Sequence, residues 1–236
     1  DMGPRYLKIS SSHSLNIIRL GLPSGLTQAI FSMAMIVVQS LTNSFGELVI
    51  AANVIIMRVD GFAMMPNFSF GTAMATYAGQ NVGARRYDRV EQGTRQGTLI
   101  AVATSTIITG LILIFGKYLM GIFTSTAELV TLSANMMKIL AVGYIAMAVT
   151  QCLSGVMRGA GDTMTPMWIS LITTVAIRVP LAYGISYATR TPELPNGAYQ
   201  CIWISLLCSW IFGAVITWLF YMKGGWKKKA LALDKN

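Results

Sequence analysis

The sequence predicts an all-α polytopic membrane protein with six transmembrane helices. Three observations carry this. Of the 236 residues, 54% are hydrophobic and only 11% are charged, and the mean hydropathy is +0.57. A soluble domain carries about 25% charged residues, so this chain lacks the charge to cover a water-facing surface. Six apolar windows reach the roughly 20 residues that a helix needs to cross a bilayer. No alternating strand pattern appears, which disfavours a barrel. A water-soluble enzyme, a nucleic-acid module and a disordered chain are excluded on the same grounds.

The elements follow in order. Residues 1–20 read as a linker leading into an amphipathic helix, with Arg5, Lys8 and Arg19 around Ser10-Ser11-Ser12. The spans are predicted at about 21–43, 48–77, 98–116, 127–157, 164–188 and 198–222, which makes 21–222 a single six-span unit. Residues 223–236 form a basic tail. The connections Phe45-Gly46-Glu47 and Thr191–Gly197 are short and turn-like.

Charge sets the expected orientation. The net charge is +9 and the pI about 9.7. The bases cluster between apolar segments rather than along a face, so no nucleic-acid partner is implied and the bilayer is the expected surrounding. Six spans put both termini on one side. That side holds 13 Lys and Arg residues, against Lys117 and Arg190 opposite. The bias predicts cytoplasmic termini, hence a cytoplasmic linker and tail. Cys152, Cys201 and Cys208 lie in apolar stretches and read as packing residues.

Four charges fall inside spans: Arg58, Asp60, Lys138 and Arg178. A charge at mid-bilayer costs several kcal/mol unless paired or wet. At about 1.5 Å per residue, Asp60, Lys138 and Arg178 lie roughly 15–18 Å from their span ends, which implies one polar layer. Asp60 is the lone acid there. Arg58 sits about 200° around the same helix, so Lys138 or Arg178 is the better partner. Two roles are open for Asp60: a structural ion pair, or a carboxylate that exchanges a proton or cation.

Gln28, Gln39, Asn43, Asn67 and Gln151 are further candidate substrate- or ion-binding residues. Interhelical hydrogen bonding is the competing role for each. Pro23, Pro66 and Pro180 are expected helix breaks that free backbone carbonyls, with packing kinks as the alternative. Met64, among 15 methionines, is a candidate for an adaptable binding wall or for core filling. No phosphate-binding Gly-Lys-Ser/Thr loop occurs, and His13 is the lone histidine. Neither a cofactor, a metal centre nor enzymatic chemistry is therefore expected.

Particular words add to this. Span two ends Thr76-Tyr77-Ala78-Gly79-Gln80-Asn81-Val82-Gly83-Ala84-Arg85-Arg86, with Arg58-Val59-Asp60 upstream. Span four ends Gly155-Val156-Met157-Arg158-Gly159-Ala160-Gly161-Asp162-Thr163, followed by Pro166. Span five carries Arg178-Val179-Pro180-Leu181, and Leu22-Pro23 opens span one. In order and spacing, from about Leu20 to the tail, this pattern resembles the multidrug and toxic compound extrusion (MATE) transporters.

The resemblance implies the C-terminal lobe of a two-lobe, roughly twelve-helix transporter in the cell membrane, with an N-terminal lobe of the same protein as partner. It implies secondary active multidrug efflux: antiport of cationic drugs against Na+ or H+ by alternating access, with xenobiotics exported through a cleft between lobes. The implied coupling ion is Na+ or H+. Where some members carry an acid in spans one and four, this chain has Gln28 and Gln39, and Lys138 and Gln151. Asp60 matches the family's Lys/Arg-X-Asp pattern. Arg158 and Asp162 are expected to brace the turn after span four. A lipid-linked precursor flippase of related fold, favoured by an anionic head group, and a non-transporting membrane scaffold half are the rival functions.

Overall fold

The computed structural model describes residues 11–233; the side chains of 11–13, 16, 19–20, 23–24, 27 and 231–233 lie outside that description. Among the described residues the chain is helical apart from short connections and one isolated bridge, Thr191 to Leu194. The helices are α1 (Ser11–Asn43), α2 (Glu47–Gly83), α3 (Tyr87–Gly121), α4 (Ala127–Ala141), α5 (Gly143–Gly159), α6 (Met164–Leu171), α7 (Val179–Ala188), α8 (Cys201–Met222) and α9 (Gly225–Leu233). A π-helical segment, Ile172–Arg178, joins α6 to α7. The helices α2, α3, α6 through α7, and α8 are each long and apolar enough to cross a membrane, and α4 with α5 forms a fifth such unit bent by 44°. The 33-residue α1 passes straight through the boundary expected at Leu20. Arg5, Lys8 and the Pro23 side chain lie outside the described residues.

Turn chemistry sets the helix ends. Gly46, at φ 90°, starts α2, and Glu47, Asp88 and Glu128 place carboxylates in the first turns of α2, α3 and α4, where the positive end of the helix dipole favours them. The two Gly-Ala words close their helices alike. After α2, the Arg86 amide donates to the Asn81 carbonyl, with Arg85 at φ 57°. After α5, the Asp162 amide donates to Met157, with Gly161 at φ 83°. Both are Schellman-type reversals that occupy carbonyls a helix end leaves open.

Two helices depart from regularity, and each departure is satisfied from outside. At the α4/α5 bend, Thr109 of α3 donates to the Ala141 carbonyl (2.7 Å) and Asn67 of α2 to the Tyr144 carbonyl (3.3 Å). Gly143 leaves room for the Trp210 ring, which a Cβ there would meet at 2.5 Å. In the π segment, Ser209 of α8 donates to the Thr173 carbonyl (2.9 Å). Backbone groups inside a membrane need such partners because lipid supplies none. The expected proline breaks resolve differently. α2 continues unbroken through Pro66, whereas Pro180 is the second residue past the π segment and cannot donate to the turn before it.

The most extensive packing is α2 against α5. A Cβ at Gly155 would overlap the Gly71 carbonyl, and one at Gly159 would overlap the Ala75 carbonyl. The four-residue spacing of Gly155 and Gly159 thus brings two backbones together, as small residues do between membrane helices. Residues 223–236, expected as a tail, instead contain α9. Trp226 and Ala230 are buried, Trp226 stacks on Tyr221 at 5.6 Å, Lys229 pairs with Asp162 at 2.5 Å, and Lys227 pairs with Glu91.

Candidate functional site

Between α1, α2, α5, the α6–π unit and α8 lies a cavity of about 620 Å³. It runs from Thr42 and Asn53 at one end to Arg158 and Thr163 at the end where α5 turns into α6. That volume lets it take a drug-sized molecule. Its wall is mixed: Phe31, Met35 and Phe68 are apolar, while Asp60, Gln151 and Arg178 are polar or charged.

Asp60 stands in α2, half-buried, and accepts a hydrogen bond from the Tyr144 hydroxyl at 2.8 Å. Tyr144 is fully buried and its ring lies 5.8 Å from that of Trp210. Arg178 acts on Asp60 through its charge, yet the two make no ion pair within 4 Å among the described residues. The Arg178 side chain is 4% exposed. One terminal nitrogen donates to the Met35 sulfur (3.5 Å), and Nε has no partner.

The expected charge layer is therefore corrected. Arg58 and Lys138 are exposed, lie outside the cavity wall and make no ion pair with Asp60. Linear depth along a helix does not determine which way a side chain points, and both of these turn away. The first partner of Asp60 is neutral Tyr144, which a search for opposite charges overlooks. Arg158 lines the cavity, whereas Asp162 is held by Lys229 and by the Thr165 amide (3.1 Å) and hydroxyl (2.7 Å). The expected Arg158 brace of that turn is replaced by a lysine from α9.

The remaining candidates separate. Gln28, Gln39, Met64 and Gln151 line the cavity. Gln39 accepts from Asn53 (3.4 Å) and donates to Asn43 (2.8 Å); Asn43 itself is exposed and outside the cavity. Asn67 faces away as well, its oxygen taken by Ser105 (2.8 Å) and its nitrogen by Tyr144. It belongs to the bend. Cavity residues beyond those expected include Thr173, Thr174, Trp203 and Trp210. The i→i+5 bonding of the π segment stacks residues four and five apart, which aligns Thr173 and Thr174 with Arg178.

The fold and cavity define a multi-pass α-helical membrane protein with a chamber of mixed polarity between its helices. A family model described as MatE matches residues 23–184, and the chain belongs to that family. It is 26% identical over 227 residues to Probable multidrug resistance protein YoeA of Bacillus subtilis, covering 96% of this chain and 48% of that protein. It is likewise 26% identical to Probable multidrug resistance protein NorM of Thermotoga maritima, over 93% of this chain and 46% of that one. A crystal structure of MATE in the bent conformation superposes with a TM-score of 0.85 at 20% identity, over 98% of this chain and 50% of that one. A MOP superfamily transporter from Pyrococcus furiosus, described as having a binding pocket of reverse polarity, superposes with a TM-score of 0.83 at 20% identity, over 100% of this chain and 51% of that one. The chain spans about half the length of the curated relatives it matches. These relatives are transporters, not enzymes, and the fold seen here matches about half of each of these solved structures.

Proposed function

We propose that this chain is the C-terminal lobe of a secondary active multidrug exporter in the cell membrane, facing a similar N-terminal lobe across a central cleft. Its names for relatives, multidrug resistance proteins, support the substrate class, and their doubled length supports the second lobe. The observation that carries the reading is Asp60: a carboxylate on the wall of a drug-sized cavity, held by one neutral donor and unpaired by any base within 4 Å among the described residues. Such a group exchanges Na+ or H+ for an organic cation more readily than a carboxylate locked in an ion pair. Binding of the ion on one side and the drug on the other would alternate the two lobes. Both termini face the cytoplasm in this reading, on the strength of the basic bias.

The test is ethidium efflux from cells lacking their own major exporters and expressing the full-length protein. Efflux is expected to stop when the sodium and proton gradients are both collapsed, and to fall roughly ten- to hundredfold in Asp60→Asn at equal surface amount, since a lost charge contact is worth on the order of 1.5–3 kcal/mol. Efflux indifferent to both gradients, or unchanged in Asp60→Asn, overturns the reading.

A further inference from the structure

The cavity contains a charge that cation export does not use. Arg178 is 4% exposed, lies on the cavity wall, and has a guanidinium with five donors. Its Nε is unpartnered and its recorded side-chain hydrogen bond goes to a thioether, a weak acceptor. Asp60 does not close this gap, because it makes no ion pair with Arg178 and already accepts from Tyr144. A cation withdrawn from water without a hydrogen-bonded counter-charge is strongly disfavoured. The arrangement lowers its free energy when an anion reaches the guanidinium.

The rest of the chamber fits such a visitor. Arg158 stands at the opposite, α5–α6 end of the same wall, without an ion pair among the described residues. Thr173 and Thr174 of the π segment line the cavity beside Arg178. Phe31, Met35 and Phe68 supply an apolar side along which an alkyl chain can lie. The charged lining is thus two guanidinium groups against one carboxylate.

We propose that Arg178 is the anchor of an anion site in this lobe, which takes the phosphate or carboxylate head of an amphiphile, with Arg158 as the charge met at the mouth. The planar fork of arginine suits either head group by paired hydrogen bonds. This goes beyond drug-cation export and stands on the cavity alone, whatever ion drives transport and whichever way it runs.

The experiment uses the full-length protein in dodecyl maltoside micelles and a lysophosphatidate carrying a nitroxide on its acyl chain. Binding is read as quenching of tryptophan fluorescence, since Trp203 and Trp210 line the cavity. Dodecyl phosphate is expected to displace the probe and dodecyltrimethylammonium to leave it bound. Displacement by inorganic phosphate as well assigns the site to the free anion; displacement by dodecyl phosphate alone assigns it to the amphiphile. Arg178→Gln is expected to weaken probe binding about tenfold, as loss of a charge-assisted fork does, with Arg178→Lys in between. Should Arg178→Gln not fold, Arg158→Gln takes its place, with an expected loss of about threefold for a peripheral charge. Equal displacement by the cation, or undiminished binding in the folded variant, overturns the proposal. Ethidium efflux is measured on the unmodified protein. Absent efflux with probe binding speaks against the export reading alone, and efflux without probe binding against the anion site alone.

Discussion

Tyr144 donates its phenolic hydrogen to Asp60 across 2.8 Å, and its own backbone carbonyl accepts from Asn67 at 3.3 Å. One residue of α5 is therefore tied twice to α2, once through a carboxylate on the cavity wall and once through an amide behind it. The first expected outcome follows from the difference between these two bonds. Tyr144→Phe removes only the hydroxyl, so the lobe is expected to lose about 1.5–3 kcal/mol, the range for a hydrogen bond to a charged group. Thermal unfolding followed by tryptophan fluorescence measures it. An unchanged melting temperature would show that the Asp60 bond contributes nothing to stability.

Lys138 supplies the contrast. It is exposed and does not touch Asp60, so Lys138→Gln is expected to change unfolding free energy by less than about 0.5 kcal/mol. A drop as large as that of Tyr144→Phe would put the lysine back beside the carboxylate.

The α2–α5 crossing makes a steric prediction. Gly155→Ala places a methyl group on the Gly71 carbonyl, and overpacking of this kind costs about 1–3 kcal/mol. Gly83→Ala serves as the comparison, because a Cβ there meets nothing within 4 Å. Equal melting temperatures for the two variants would contradict the backbone contact.

At the basic end, Lys229 holds Asp162, whose side chain is only 3% exposed, while Lys227 and Glu91 are both about half exposed. Lys229→Gln is expected to lower the opening free energy of α9 by about 1 kcal/mol, the upper range for a partly exposed pair. Hydrogen exchange of the α9 amides reads this directly. Lys227→Gln is expected to change it less, and the reverse order would contradict the burial of Asp162.

Much of the fold was legible because apolar length and turn words repeat the helix pattern directly. The windows at 48–77 and 98–116 fall within α2 and α3, and Gly83-Ala84 and Gly159-Ala160-Gly161 mark true reversals. Two features were not legible for a common reason: they depend on azimuth, not depth. Lys138 and Arg178 occupy similar levels by residue count, yet one is exposed and the other buried against Met35. Tyr144 was passed over because a neutral phenol carries no charge signal. The bend at Val142 has no proline to announce it; it is held by Thr109 and Asn67 from other helices. The docking of α9 rests on Trp226, an aromatic within a lysine run that composition alone assigns to solvent.

The touching backbones of α2 and α5 have a mechanical consequence. Side chains can slide or change rotamer, but two main chains in contact through glycine have no cushion between them, so this pair behaves as a stiff beam along its Gly71–Gly155 stretch. Deformation of the lobe then concentrates where regular helix is already interrupted, at the 44° elbow near Val142 and along Ile172–Arg178. Both joints border the chamber, one beside Tyr144 and the other ending at Arg178, so flexing at either re-aims a charged or hydrogen-bonding group while the beam keeps its shape.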